Sequence, residues 1–447
     1  MIDFSLIIAV FIGIAILLFL ILRLKIQAFI ALLIASIAVG IISGMNPNDI
    51  ISTMKEGMGN TLGFVAVVVG LGAMFGAILE HSGGANALAS YMLKKFGEKN
   101  ASWAMVITGF FIAIPVFFDV AFIILVPLIY SLQRKTKKSL LLYAIPLLAG
   151  LAITHAFIPP TPGPVAVADI LKADLGWVIL FGFIVGIPTA IVCGPIFGKY
   201  IAGKIFIEAP KIGLDNVHTI NHPPVKLIAA IIGIPIVLIV SNTVLNSALF
   251  ETGTVPLELK NWLSMLGHPF TALIIANLVA WYVLGIKRKL SKKKLLDITT
   301  KSMGPAGIII LLTGAGGVFK QILINTGTGK MLANYFADEG VSIVLFAFLA
   351  AVIVRLLQGS ATVAMITAAG LTAPLLAVDT SAIDKALLVI AIASGASIAS
   401  HVNDSGFWLV SKYLGLNEKE TFKSWTIMTT LLALVGFTSV SLLYIMF

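Results

Sequence analysis

Six ionisable side chains fall near interruptions in otherwise apolar runs: Asp119, His155, Asp169, Arg355, His401 and Asp404. Ionisable groups are costly inside a bilayer, so those found there mark substrate or ion pathways. Beside them stand Thr154, Thr161, Ser360, Thr362, Asn403 and Ser405, hydroxyl and amide groups suited to a hydroxylated ligand. Histidine titrates near neutral pH, and aspartates close by can carry a proton onward. The set therefore suits proton-coupled movement of a small polar anion. A plainer role competes for each residue. Ser and Thr in membrane helices commonly bond their own backbone carbonyls, and a histidine can cap broken backbone. Asp169 and Arg355 lie farther from the breaks and are read as interfacial, where a solvated structural role competes evenly with a ligand role. Glu80-His81, at the end of a span, is also read as interfacial.

Two broken stretches would position these groups. Thr154-His155-Ala156-Phe157-Ile158-Pro159-Pro160-Thr161-Pro162-Gly163-Pro164 interrupts an apolar run from Leu140 to Leu171. Its four prolines and one glycine end the helix, because proline lacks the amide donor and its ring collides with the preceding turn. Ser400-His401-Val402-Asn403-Asp404-Ser405-Gly406 interrupts the run from Lys385 to Tyr413. The two histidines are 246 residues apart (401 − 155). Broken backbone at membrane depth is tolerated only where protein buries it or a watery cavity meets it. Paired breaks in two halves point to a transporter's binding site. Helices restarting after such breaks present free amides and a positive dipole end, which favours a carboxylate near Gly163 and Ser405.

The composition demands a membrane. Of 447 residues, 59% are hydrophobic and 11% charged, too few charges to cover a soluble surface. The net charge of +10 sits in short clusters between apolar spans, as in cytoplasmic loops rather than a nucleic-acid face. The single cysteine, Cys193, excludes an intrachain disulfide and supports neither a metal cluster nor a thiol motif. Runs at Phe4–Leu22, Ile26–Ile42 and Thr61–Leu79 approach the roughly 20 residues that a bilayer requires, and the first is read as a retained helix. A stretch from Trp103 to Leu132, broken around Pro115-Val116-Phe117-Phe118-Asp119 and basic at both ends, is read as a re-entrant hairpin. The broken helix follows, then a span from Trp177 to about Lys199.

The second half repeats the plan. Spans run over Val225–Leu245, Pro269–Gly285 and Gly304–Ile324, then a hairpin over Val341–Ala377, flanked by Asp338, Glu339 and Asp379 and broken at Gln358-Gly359-Ser360. The second broken helix and a span from Trp425 to Tyr444 close the chain. Phe75, Gly83, Leu88, Ala89 and Tyr91 match Phe319, Gly327, Leu332, Ala333 and Tyr335 at a constant separation of 244 (319 − 75). The reading is an all-α polytopic membrane protein of two inverted repeats, each with a re-entrant hairpin and a broken transmembrane helix. The first repeat covers 1–203, a cytoplasmic linker 204–224, and the second repeat 225–447. Five crossings per half place every strongly basic cluster inside and both termini in the periplasm.

Walker A and His-Glu-x-x-His sequences are missing, which weighs against ATP-driven transport by this chain alone and against metalloprotease chemistry. Gly314-Ala315-Gly316-Gly317 lies within an apolar span and reads as close helix packing. No cofactor or metal is expected.

The Thr154–Pro164 stretch, Leu357-Gln358-Gly359-Ser360-Ala361-Thr362-Val363-Ala364 and Ser400-His401-Val402-Asn403-Asp404-Ser405-Gly406-Phe407-Trp408 resemble signature stretches of the gluconate:proton symporter (gluconate permease) family over nearly the full length. The resemblance implies uptake of gluconate or a related sugar acid across the bacterial inner membrane, driven by protons. It also implies kinship with the ion-transporter superfamily, with inverted repeats, elevator-type motion and a homodimer. Some members carry D-serine or other small hydroxy acids, and sodium is the alternative coupling ion. The chain departs from the family pattern at Thr161, often His, and at Phe118-Asp119, often Tyr-Glu; both positions bear on substrate choice. The expected partners are a small-molecule carboxylate substrate and the lipid bilayer, without nucleic acid. From another class, a channel or an intramembrane enzyme competes.

Overall fold

Apolar runs in lipid must close their backbone hydrogen bonds within the segment, and helices do so. In the computed structural model, residues 4–210, 223–246, 256–327, 342–377, 379–402 and 404–446 are described. The helices are α1 (Phe4–Leu22), α2 (Ala28–Ile42), α3 (Pro47–His81), α4 (Gly84–Phe96), α5 (Ala101–Ile112), α6 (Phe118–Thr136), α7 (Leu141–Phe157), α8 (Pro162–Leu171) and α9 (Leu175–Lys204). The second half gives α10 (Val225–Leu245), α11 (Leu257–Gly267), α12 (Pro269–Arg288), α13 (Lys292–Asn325), α14 (Ile343–Gln358), α15 (Ala361–Thr372), α16 (Ala382–Ala396), α17 (Ser405–Leu414) and α18 (Glu418–Met446). Among the described residues seven segments, one of them α7 and α8 taken together, are long and apolar enough to cross a membrane, so the chain is an all-helical multi-pass membrane protein. Asn403, Asp338, Glu339 and the repeat matches Leu332, Ala333 and Tyr335 lie outside the described residues.

The structure adds what apolar runs alone do not show. α4 and α11 were not expected as helices. α3 and α13 extend well before the expected spans, carrying Lys55 and Glu56 in one and Lys292, Lys293 and Lys294 in the other. These two long helices pack antiparallel: Asn325 donates to Thr53 Oγ1 at 2.9 Å near one end, and Met303 lies against Gly70 towards the other. The glycine run behaves as close packing. A Cβ on Gly317 would lie 2.1 Å from Thr61 Oγ1, and one on Gly314 2.3 Å from Met58 Sδ.

α5 and α7 run parallel, as Ser102 Oγ donates to Leu142 O at 2.9 Å and a Cβ on Gly109 would meet Leu147 O at 2.4 Å. The chain therefore enters α5 and leaves α6 on one side. In the second half, Gly395 of α16 meets Phe348 and Ala351 of α14, and Arg355 further along meets Asp404, again a parallel course. The pair α7 and α8 forms the centre, since 83% of its apolar window is buried against 33% for α10 and for α18.

Candidate functional site

Four helices begin at the breaks, and their first turns face one cavity. Phe118 and Asp119 start α6, Gly163 lies in the first turn of α8, Ala361 and Thr362 start α15, and Ser405 and Gly406 start α17. The cavity holds about 600 Å³, within the size range of small-molecule sites. Backbone amides at helix starts lack intrahelical partners and carry the positive end of the dipole. Proline and glycine between α7 and α8, and Gly359 with φ +86° between α14 and α15, are what permit the chain to stop and restart there. Gly163 keeps α8 close to α15, since a Cβ there would lie 2.7 Å from Met365 Sδ.

Arg355 is the cation of the cavity wall. Its side chain is 5% exposed, so the expected interfacial position is corrected: α14 carries it inward to the tip of the pair. Nη2 donates to Asp404 Oδ2 at 2.5 Å, and Nη1 donates to Gly359 O. Asp404 Oδ1 caps α17 by accepting from Gly406 N at 3.0 Å, and Oδ2 also accepts from Ser400 Oγ. Ser400 is fully buried and accepts from Trp425 Nε1 at 2.6 Å, while its backbone N donates to Thr429 Oγ1 at 3.1 Å. Trp425 rides on a π-helical turn at Phe422–Thr426, a distortion that re-aims side chains. Arg355 Nε is buried with no hydrogen-bond partner among the described residues, so the network holds the guanidinium by its two terminal nitrogens and leaves one donor unused.

Of the residues expected from the sequence, Asp119, His155, Gly163, Ser360, Thr362, Asp404 and Ser405 line this cavity. Ser360 Oγ caps α15 by accepting from Val363 N at 3.3 Å, and its own N donates to Gln358 Oε1 at 2.7 Å. His155 Nδ1 is buried with no hydrogen-bond partner among the described residues, and the ring lies 6.2 Å from that of Phe117. Three expected residues are not in the lining. Thr154 is buried behind the wall with its hydroxyl unpartnered among the described residues, Thr161 donates to Ile158 O at 2.6 Å, and His401 Nδ1 contacts Ala399 O at 2.9 Å. Asp169 is also elsewhere, paired with Lys172 at 3.1 Å. The sequence reading passed over Trp425 and Thr429 because both stand in an apolar span with no break beside them. Among the described residues no group of three or more His, Cys, Asp and Glu could hold a metal ion.

The model of the GntP family permeases matches residues 5–446. The chain belongs to the GntP permease family. It is 41% identical to the low-affinity gluconate transporter of Escherichia coli (strain K12) over 426 residues, 95% of each chain. It is 39% identical to the gluconate permease of Bacillus subtilis (strain 168), covering 96% of this chain and 97% of that one. Identity with the Gnt-II system L-idonate transporter of Escherichia coli (strain K12) is 37%, over 95% of each. The fold resembles that of the Alcanivorax borkumensis YdaH transporter, with a TM-score of 0.62, 14% identity and 89% of each chain covered. This GntP permease is a membrane transporter and not an enzyme.

Proposed function

We propose that this GntP permease is a proton-coupled secondary transporter that takes up gluconate or a related sugar acid across the bacterial inner membrane. The observation that carries the reading is the convergence of four helix starts and Arg355 on one cavity with two carboxylates, Asp119 and Asp404. The first turns of four helices and the Arg355 guanidinium place donors and positive charge around the cavity, where they suit a substrate carboxylate. Protonating an aspartate makes the cavity more positive, so proton and substrate anion favour each other's binding, which is the thermodynamic content of symport. Asp119, exposed to the cavity and outside the Arg355 pair, is the proton carrier in this reading. Hydroxyls at Ser360, Thr362, Ser405 and Thr429 suit the hydroxylated chain of a sugar acid. Relatives named as gluconate and L-idonate transporters support that substrate class.

The architecture in this proposal is two inverted repeats, joined by the cytoplasmic 204–224 linker, with both termini periplasmic and a homodimer as the working assembly. Antiparallel packing of α3 on α13 supports the inversion. α5 and α15, with 12 residues each, are about 18 Å long against about 30 Å of hydrocarbon, which supports re-entrant pairs over spanning ones.

Uptake of labelled gluconate by reconstituted protein, competed with L-idonate and D-serine, tests the substrate class. Competition by the sugar acid alone is expected. Stronger competition by D-serine would overturn the assignment.

A further inference from the structure

We infer that Glu80, near the end of α3, is the group through which the transported proton leaves the central cavity toward the basic face of the protein. The inference rests on the proton-coupled reading above. A second cavity of about 290 Å³ lies beside the first. Phe117, Val120 and Pro305 line both, so the two spaces share a wall, and Asp119 stands on the central side of it between Phe117 and Val120 in the chain. Gly76 makes the wall thin: a Cβ there would lie 2.0 Å from Pro115 O, so only glycine brings α3 this close to the α5–α6 break.

Glu80 faces this second cavity and is half-buried. Among the described residues no hydrogen bond or ion pair engages its carboxylate. The charged groups around it are His81 on its own helix, Lys294, Asp297 and Lys301 on α13, and Asp119 behind the shared wall. The rim is open to solvent, since Lys301 and Asp297 pair at 2.9 Å with side chains 75% and 56% exposed. His81 is turned away from relay duty, because its Nδ1 contacts Ala77 O at 3.0 Å and the residue is exposed. Among the described residues that line the second cavity, Glu80 is therefore the carboxylate without an ion-pair partner, since Asp297 pairs with Lys301.

Asp119, carrying a proton while substrate is bound, gives it to water of the central cavity and is left as a carboxylate. Water admitted across the Phe117–Val120 wall passes a proton to the Glu80 carboxylate, and Glu80 releases it to solvent at the rim, returning to its ionised form. The second cavity is large enough for several waters, and Glu80, Lys294, Asp297, Lys301 and Ser302 give them polar partners along one side.

The test compares two modes of transport in proteoliposomes: accumulation of labelled gluconate under an imposed pH gradient, and exchange of external labelled for internal unlabelled gluconate at equal pH. Exchange needs no net proton release. Glu80→Gln should reduce accumulation by on the order of tenfold or more, the scale of losing one proton-transfer group, and leave exchange near wild type. Glu80→Asp should restore accumulation. Wild-type accumulation in Glu80→Gln would overturn the inference, and so would equal loss of accumulation and exchange in both variants. Wild-type protein that accumulates gluconate on a sodium gradient alone would overturn the proton reading itself, and this inference with it.

Discussion

Arg355, one turn before the tip of α14, and Asp404, the N-cap of α17, meet at 2.5 Å although 49 residues separate them in the chain. The pair ties the second helix pair to the second break. A charge buried this deeply needs its partner, and removing one member of such a pair costs about 3–5 kcal/mol because the other is left uncompensated. Arg355→Ala and Asp404→Asn should each lower the unfolding temperature in detergent and abolish uptake. The double variant should be less destabilised than the sum of the singles, a coupling that a double-mutant cycle measures. Additive losses would show that the contact contributes nothing.

Gly76 sets how closely α3 approaches the α5–α6 break. Gly76→Ala must push backbone off backbone at Pro115, an overpacking that costs about 1–3 kcal/mol, and transport should fall with thermal stability. Gly59, in the same helix, has nothing within 4 Å of where its Cβ would go. Gly59→Ala should be neutral or slightly stabilising, since alanine is the better helix former. Thermal unfolding of the two variants side by side checks the contrast.

The two histidines, equivalent by spacing, are not equivalent in space. His155 lines the cavity with an unpartnered nitrogen, whereas His401 is turned to a local carbonyl. His155→Ala should raise the half-saturating gluconate concentration by about threefold to tenfold, the scale of one hydrogen bond, and His401→Ala should change it less. In the sequence the two look alike, each standing inside a break.

The difference between the two histidines lies in three-dimensional packing, which spacing along the chain does not encode. Spans, breaks and the helix starts at Gly163 and Ser405 were legible, because proline and glycine punctuate helices by covalent geometry and apolar runs announce membrane depth. Arg355 was not. Its distance along the chain from a break suggests an interface, yet at 1.5 Å per helical residue four positions are only about 6 Å, so it reaches the tip through its long side chain. Trp425 was hidden for a related reason: its hydrogen bond to Ser400 joins α18 to the second break, a contact that no local pattern encodes.

The antiparallel course of α3 and α13 places their starts at opposite ends of the molecule. Single cysteines at Asn48 and Lys292 should therefore label from opposite sides of the membrane. Cys193 is buried and adds little background. Same-side labelling would contradict the proposed inversion and the crossing count built on it.

The central claim is that protons drive sugar-acid uptake through the cavity that Asp119, Arg355 and Asp404 line. Wild-type protein in proteoliposomes, given labelled gluconate under an inward pH gradient or an inward sodium gradient, tests it most directly. Accumulation above the external concentration is expected with the pH gradient, none with sodium alone, and the pH-driven accumulation should be lost in Asp119→Asn. Accumulation on sodium without a pH gradient, or equilibration without accumulation in either case, would contradict it.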